Sequence, residues 1–205
     1  MQTANADIRH TNYISTNPLF NTLLENFLNN VGDLLKSINA IGKNGLDAGC
    51  GEGHMLGYLH DQGAIGRLTA IDLNAEHLNF AKKRFPYFDY RVADLCNLPF
   101  SDDTFDFVMS TEVLEHLPHP GKALMELQRI AKPEAYLILS VPFEPFFHWG
   151  NLLRGKYWKR GGYTPDHRNF WHRHQFSAFL APVVDIEAEF GFKTFPWLLY
   201  GCRFR

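Results

Sequence analysis

Three glycines at alternate positions, Gly49, Gly51 and Gly53, follow the run Leu46-Asp47-Ala48. Glycine is needed where a backbone must turn sharply or approach a ligand with no side chain in the way. Free amides at the start of the following helix favour polar or negative ligand groups. A dinucleotide fingerprint requires Gly-x-Gly-x-x-Gly, and here His54 stands where the third glycine would fall. Asp47 is an acid for which a pyrophosphate site has no use. It suits a ligand carrying an ammonium or sulfonium charge, so a nicotinamide cofactor is disfavoured. Cys50, inside the loop, reads as a small packing residue rather than a nucleophile.

Two more acids end apolar runs. Asp72 closes Ala70-Ile71-Asp72, 19 residues after Gly53. An acid at the carboxyl end of a second strand is the usual acceptor for ribose hydroxyls in open α/β sheets. Asn74 is the better helix cap, which would leave Asp72 free. In Val92-Ala93-Asp94-Leu95, Asp94 could accept from an exocyclic adenine amine while Leu95 lies against the ring. Each acid alone has a plain reading as a cap or loop residue. Asp47, Asp72 and Asp94 ending three successive strands form a more specific set, because ligands bind at those carboxyl ends.

Candidates for proton transfer come later: His116, His148, His167, His172 and His174, with Glu144 and Asp166 behind them. His116 follows the apolar run 105–110 and lies near the glycine loop by chain order, although packing beneath the sheet edge is its favoured role. His148 follows the run 135–141, where an acceptor molecule would lie. His167, His172 and His174 could suggest a metal. No cysteine completes the set and Asn169-Phe170-Trp171 interleave, so no metal is expected and surface or substrate contacts are favoured.

The elements that must position these residues alternate. Runs at 45–48, 67–72, 88–93, 105–110 and 135–141 predict strands, with helices at about 53–62, 75–84 and 121–131 between them. That alternation argues for a parallel sheet with helices on both faces and right-handed crossovers. Runs 183–190 and 193–204, separated by Gly191, predict a hairpin whose second arm returns antiparallel to its neighbour. At the other end, Asn17-Pro18 gives a helix start. Phe20, Leu23, Leu24, Phe27, Leu28, Val31, Leu34, Leu35 and Ile38 follow at helical spacing, with Gly32 as the place for any break.

Residues 143–176 interrupt the alternation. They hold ten aromatics and six Lys/Arg, among them Arg154, Lys156, Lys159 and Arg160, against only Glu144 and Asp166. A connection of this length reads as a functional cap, a packed subdomain or a partner surface. As a cap it would close over an acceptor, with the basic cluster meeting an anionic group. Peripheral contact with a membrane surface is a further reading.

The chain of 205 residues suits one domain, with 1–42 as an N-terminal helical segment and 143–176 as the cap insertion. A formal net charge of -2 gives no global argument for a nucleic-acid partner. Cys50, Cys96 and Cys202 are scattered and odd in number, which suits a reducing compartment. Residues 1–10 lack the apolar core of a signal peptide, and no apolar run approaches the ~20 residues of a membrane span. A soluble cytoplasmic protein is expected; its oligomeric state is not legible.

The residues also resemble a known family. Leu46-Asp47-Ala48-Gly49-Cys50-Gly51-Glu52-Gly53 and Ile71-Asp72 match the class I S-adenosylmethionine-dependent methyltransferases, in their small-molecule branch. So do Ala93-Asp94 with Leu98-Pro99-Phe100, then Phe105-Asp106, Glu112-Val113-Leu114-Glu115-His116-Leu117 and Leu139-Ser140-Val141-Pro142, collinear over 45–142. The resemblance implies a doubly wound, Rossmann-like, seven-stranded α/β sheet ending in an antiparallel hairpin, with S-adenosyl-L-methionine as cofactor. It places Gly49 and Gly51 against the methionine portion and Asp47 near its ammonium. Asp72, with Leu73 beside it, would meet the ribose hydroxyls. Asp94 and Leu95 would surround adenine, and the Ser110 backbone would lie near the methionine amine. The implied reaction is methyl transfer to a small-molecule acceptor; the basic cap suits an anionic or lipid-linked one, and chain position makes His148 and His116 the candidate bases. The alternatives are a macromolecular acceptor, RNA or protein, or a non-catalytic cofactor-binding module. No Asn/Asp-Pro-Pro-Tyr follows run 105–110, which argues against methylation of adenine or glutamine amides, and no Pro-Cys pair supports covalent attack on cytosine.

Overall fold

The structure, a computed structural model, describes residues 17–144, 146–153, 157–160 and 162–205. The polar lead-in 1–16 and the cap residues Arg154 and Lys156 lie outside the described residues. Helix α1 (Pro18–Ser37) begins where Asn17 accepts a hydrogen bond from the Leu19 amide at 3.0 Å, with Pro18 in the first turn. Its buried residues fall at steps of three and four, the mark of an amphipathic helix laid on a core. The helix does not break at Gly32. A Cβ there would sit 3.5 Å from Leu59, so the glycine marks close helix packing.

Strand and helix then alternate as β1 (Gly45–Ala48), α2 (His54–Asp61), β2 (Thr69–Asp72), α3 (Ala75–Arg84) and β3 (Asp89–Val92). Next come β4 (Phe105–Thr111), α4 (Pro120–Ile130), β5 (Ala131–Pro142), α5 (Phe146–Leu153), α6 (Arg173–Leu180), β6 (Val184–Phe190) and β7 (Trp197–Phe204). The seven strands lie in the order β3-β2-β1-β4-β5-β7-β6. The first five pair in parallel, and β7 runs antiparallel to both β5 and β6. The expected Rossmann-like sheet with its terminal hairpin is therefore present. Two bounds differ from expectation by more than two residues. Strand β5 starts four residues early, because Ala131 pairs with Phe105 across a bulge. The second hairpin arm starts at Trp197, because Phe192–Thr194 form a short 3-10 turn.

Alternation along the central strands divides the core between the two faces of the sheet. Phe105 and Val108 of β4, Leu137 and Leu139 of β5, and Leu198 and Tyr200 of β7 pack on one side with α4 and α6. Phe107 and Met109, Ile138, Trp197 and Leu199 pack on the other with α1 and α2. Among the described residues no helix is long and apolar enough to cross a membrane. Strand β1 lies between β2 and β4, so the crossovers leave it in opposite directions. The resulting crevice outside its carboxyl end is where open α/β sheets bind ligands.

Candidate functional site

A cavity of about 310 Å³ opens at that crevice, within the size range of small-molecule sites. Its floor is the loop after β1. The amides of Gly49 and Cys50 both donate to the Ile71 carbonyl at 2.8 Å, which folds the loop back over β2. Gly49 has φ 95°, and a Cβ there would overlap the Val113 side chain. Gly51 has φ 53° and a Cβ position with no neighbour within 4 Å, so its bare backbone faces the cavity.

Asp72 holds this loop in place. Its Oδ2 accepts from the Gly51 amide at 2.9 Å and its Oδ1 from the Asn74 amide at 2.8 Å. Asn74 does cap α3, accepting from the Glu76 amide at 2.9 Å. The expectation that Asp72 is thereby left free is corrected: an oxygen at the end of β2 is the acceptor nearest the turned-out Gly51 amide. A carboxylate offers about four acceptor sites, so Asp72 keeps capacity for a further donor, and it lines the cavity.

Asp47 is in a different state. It is 1% exposed, and neither carboxylate oxygen has a hydrogen-bond partner among the described residues. Burial, reinforced by the Asp72 charge, pushes its pKa up to about 8. An unsatisfied buried carboxylate is costly, and a cationic ligand group in the cavity would relieve that cost. Beside it, burial and the same two aspartates raise the Cys50 thiol far above its usual range, so it is no thiolate nucleophile.

The walls come from the family-matching segment after β4 and from a helix that was read only for packing. Thr111 at the end of β4, with Glu112 and Val113 just after it, forms one, and Leu24, Phe27 and Leu28 of α1 form another. The α1 residues carried no chemical signal in the sequence, since apolar residues at helical spacing look alike whether they face a core or a ligand. Glu112 has φ 57° and accepts from Ser140 Oγ at 2.8 Å; burial raises its pKa to about 8, against the lowering effect of hydrogen bonds from Ser140 and Trp197. His77 also lines the cavity, its Nδ1 3.7 Å from Asp72 Oδ1.

Four of the expected ligand contacts, Asp47, Gly49, Gly51 and Asp72, thus meet in one cavity. The other four do not line it. Leu73 is 71% exposed, and Asp94 accepts from the Cys96 amide at 2.8 Å in a local turn. Leu95 is packed into the core, and Ser110 is buried with its Oγ donating to the Ala48 carbonyl at 2.8 Å. That bond ties β4 to the end of β1, so Thr111, one residue on, takes the wall position.

The two candidate bases also separate. His116 lines the cavity; its Nδ1 lies 3.1 Å from the Asp166 carbonyl and its Nε2 3.8 Å from Glu115 Oε1. His148 does not line it. Its Nδ1 lies 3.3 Å from the buried Glu144 carboxylate and its ring stacks on Tyr163 at 4.8 Å, which gives it a packing role inside the cap. No described residue of 143–176 lines the cavity. Lys159 and Arg160 sit exposed on a 3-10 turn. Among the described residues it is α1 that walls the cavity, and the segment 143–176 reaches His116 through Asp166 and His167.

Residues 46–139 match the family model described as Methyltransferase domain. Among curated relatives, the chain is 35% identical over 97 residues to a phthiotriol/phenolphthiotriol dimycocerosates methyltransferase of Mycobacterium tuberculosis, covering 46% of this chain and 36% of that protein. It is 38% identical over 88 residues to a malonyl-[acyl-carrier protein] O-methyltransferase of Pectobacterium atrosepticum, covering 43% and 34%. The chain spans about a third of the length of the curated relatives it matches. A crystal structure of a SAM-dependent methyltransferase from Aquifex aeolicus superposes with a TM-score of 0.65 at 22% identity, covering 92% of this chain and 94% of that one. That likeness concerns the fold.

Proposed function

We propose that this chain, a member of the class I S-adenosylmethionine-dependent methyltransferases through its residues 46–139, transfers the cofactor's methyl group to a small-molecule acceptor. The observation that carries this reading is Asp47, a buried carboxylate with no hydrogen-bond partner among the described residues, on the floor of a cavity lined by bare glycine backbone. The donor set fits the cofactor. Asp47 would take the methionine ammonium, and Gly49 and Gly51 would let the methionine portion approach. Asp72 would accept from ribose hydroxyls with the capacity left after binding Gly51 and Asn74. Asp94 lies outside the cavity lining; with its Oδ1 committed to Cys96, its Oδ2 would be the oxygen to accept from an adenine amine.

The cofactor, when bound, supplies an electrophilic methyl group on a sulfonium. The protein's part is to orient and to exclude water. Leu24, Phe27 and Leu28 close the cavity with apolar surface, and a positioned acceptor can gain about 7–11 kcal/mol in favourable cases. Of the three imidazoles among the described residues that line the cavity, His54, His77 and His116, His116 stands on the turn after β4, away from the loop-binding Asp72 that His77 faces, so it is the one we assign to take an acceptor hydroxyl's proton.

The acceptor reading is supported by the names of the two relatives, a phthiotriol/phenolphthiotriol dimycocerosates methyltransferase and a malonyl-[acyl-carrier protein] O-methyltransferase. Titration calorimetry with S-adenosylmethionine and with NAD tests the cofactor. Binding of the sulfonium and not of NAD is expected, and the reverse would overturn the reading. Mass-spectrometric detection of a methylated product across a panel of carboxylate and hydroxyl acceptors tests the transfer.

A further inference from the structure

Beside the cavity, one carboxylate and two imidazoles converge. Glu115, His116 and His167 each present a donor atom, and these atoms lie within 4.8 Å of one another. We propose that these three residues bind a divalent metal ion of the zinc class at the edge of the cofactor cavity.

Glu115 carries the argument. It is 1% exposed, and its Oε2 has no hydrogen-bond partner among the described residues. Its Oε1 faces His116 Nε2 at 3.8 Å, too far for a hydrogen bond. His167 Nδ1 is likewise buried and without a hydrogen-bond partner, and the two imidazole rings meet edge to face at 5.0 Å. A simple Glu–His pair would leave both the second carboxylate oxygen and His167 Nδ1 unsatisfied. One cation accepting a lone pair from each side chain satisfies all three.

The surrounding bonds prepare the site. His116 Nδ1 lies 3.1 Å from the Asp166 carbonyl, which can only accept. The proton therefore sits on Nδ1, and Nε2 keeps its lone pair toward Glu115. A backbone carbonyl orienting a ligating histidine in this way is the common outer shell of metal sites. The Glu115 carbonyl in turn accepts from the Arg168 and Asn169 amides at 2.7 and 3.0 Å. Asn169 Nδ2 donates to the carbonyls of Leu114 and Leu117 at 3.1 and 2.7 Å. The loop bearing His167 is thus fastened to the 3-10 turn Leu114–His116.

Two histidines and one glutamate, with a fourth position open, form a donor set of catalytic zinc sites. Bonds of about 2.0–2.2 Å place tetrahedral ligand atoms roughly 3.4 Å apart, so closing from 4.8 Å requires only side-chain rotation. His172 and His174 take no part: both are exposed, and their rings lie against each other at 6.1 Å. Because His116 also lines the cavity, a bound ion would take the Nε2 lone pair that serves as base in the metal-free protein, and its open position would face an acceptor molecule. The acceptor class that follows, resting on the methyl-transfer reading, is one offering a hydroxyl or carboxylate oxygen to the ion.

The test is titration of the chelator-stripped chain with zinc sulfate by calorimetry, with metal analysis after dialysis. About one zinc per chain is expected, with His167→Gln and Glu115→Gln each weakening binding at least tenfold and His172→Ala leaving it unchanged. Substoichiometric zinc in the unaltered protein, or equal affinity in His167→Gln, would overturn the proposal. If Glu115→Gln does not fold, His167→Gln decides alone. S-adenosylhomocysteine binding is measured on the same samples. Its retention without zinc binding would sink the metal site and leave the methyltransferase reading standing; zinc binding without it would do the opposite.

Discussion

Asp72 Oδ2 accepts the Gly51 amide at 2.9 Å, across 21 residues of chain. One carboxylate at the end of β2 thereby sets the shape of the glycine loop at the end of β1. The same residue is the proposed ribose acceptor, so loop geometry and ligand binding are coupled through a single side chain.

Asp72→Asn should therefore damage both. The amide can accept only through one oxygen, and its NH2 would face a backbone N–H. Hydrogen bonds to a charged group contribute about 1.5–3 kcal/mol, which corresponds to roughly a 10–150-fold loss of S-adenosylmethionine affinity. Calorimetry on the variant checks this. An unchanged dissociation constant would remove Asp72 from the binding site and leave it a loop clamp only.

Asp47 predicts a proton signature. With its folded pKa raised to about 8 from 3.8, the free protein holds this carboxyl protonated at pH 6. Pairing with an ammonium restores the charged form, so binding should release about one proton at pH 6 and progressively less toward pH 9. Calorimetry in buffers of different ionisation enthalpy reads this directly, and Asp47→Asn should abolish it. The sign for stability follows from the same shift. Between pH 4 and 8 the native state holds a proton the unfolded chain has lost, so stability of the ligand-free protein falls as pH rises. Asp47→Asn should flatten that part of the slope while weakening cofactor binding. Flattening without weaker binding would mean the carboxylate does not meet the ligand.

His116 and His148 should separate in kinetics. His116 lines the cavity and His148 is packed between Glu144 and Tyr163. With a hydroxyl acceptor, His116→Asn should lower kcat by about 10²–10⁴ with little change in cofactor affinity. His148→Gln should leave kcat within a few-fold and lower Tm. A large kcat loss in His148→Gln would return the catalytic role to the cap.

Much of this arrangement was legible in the chain, because the informative signals were local. Strand alternation and turn glycines fix β1 to β4 within two residues, since burial period and backbone freedom are properties of short segments. The floor of the cavity was equally legible: Asp47, Gly49, Gly51 and Asp72 end adjacent strands, and parallel pairing brings those ends together. What escaped was contact between distant segments. Nothing in Leu24 or Phe27 says that α1 folds back across the sheet to wall the cavity. Nothing in His167 says that it meets Glu115, because that meeting depends on Asn169 binding the carbonyls of a turn about fifty residues earlier. Leu95 and Ser110 were assigned by motif position, and their burial places them behind the residues that line the cavity.

The α1 wall gives the last prediction. Phe27 is buried, lines the cavity, and packs its ring 5.0 Å from Trp197 of β7. Truncation to alanine removes that contact and leaves a void next to the ligand site. Phe→Ala in a core costs about 3–5 kcal/mol, and at about 2–4 °C per kcal/mol for a domain of this size the Tm should fall by roughly 6–20 °C. Leu19→Ala, at a position 67% exposed on the same helix, should stay within about 0.5 kcal/mol and controls for helix propensity. The two roles of Phe27 separate in one experiment. At a temperature where Phe27→Ala remains folded, a wall residue should also weaken S-adenosylmethionine, because water then reaches the cavity. A lower Tm with unchanged cofactor affinity would show that α1 braces the sheet without shaping the site.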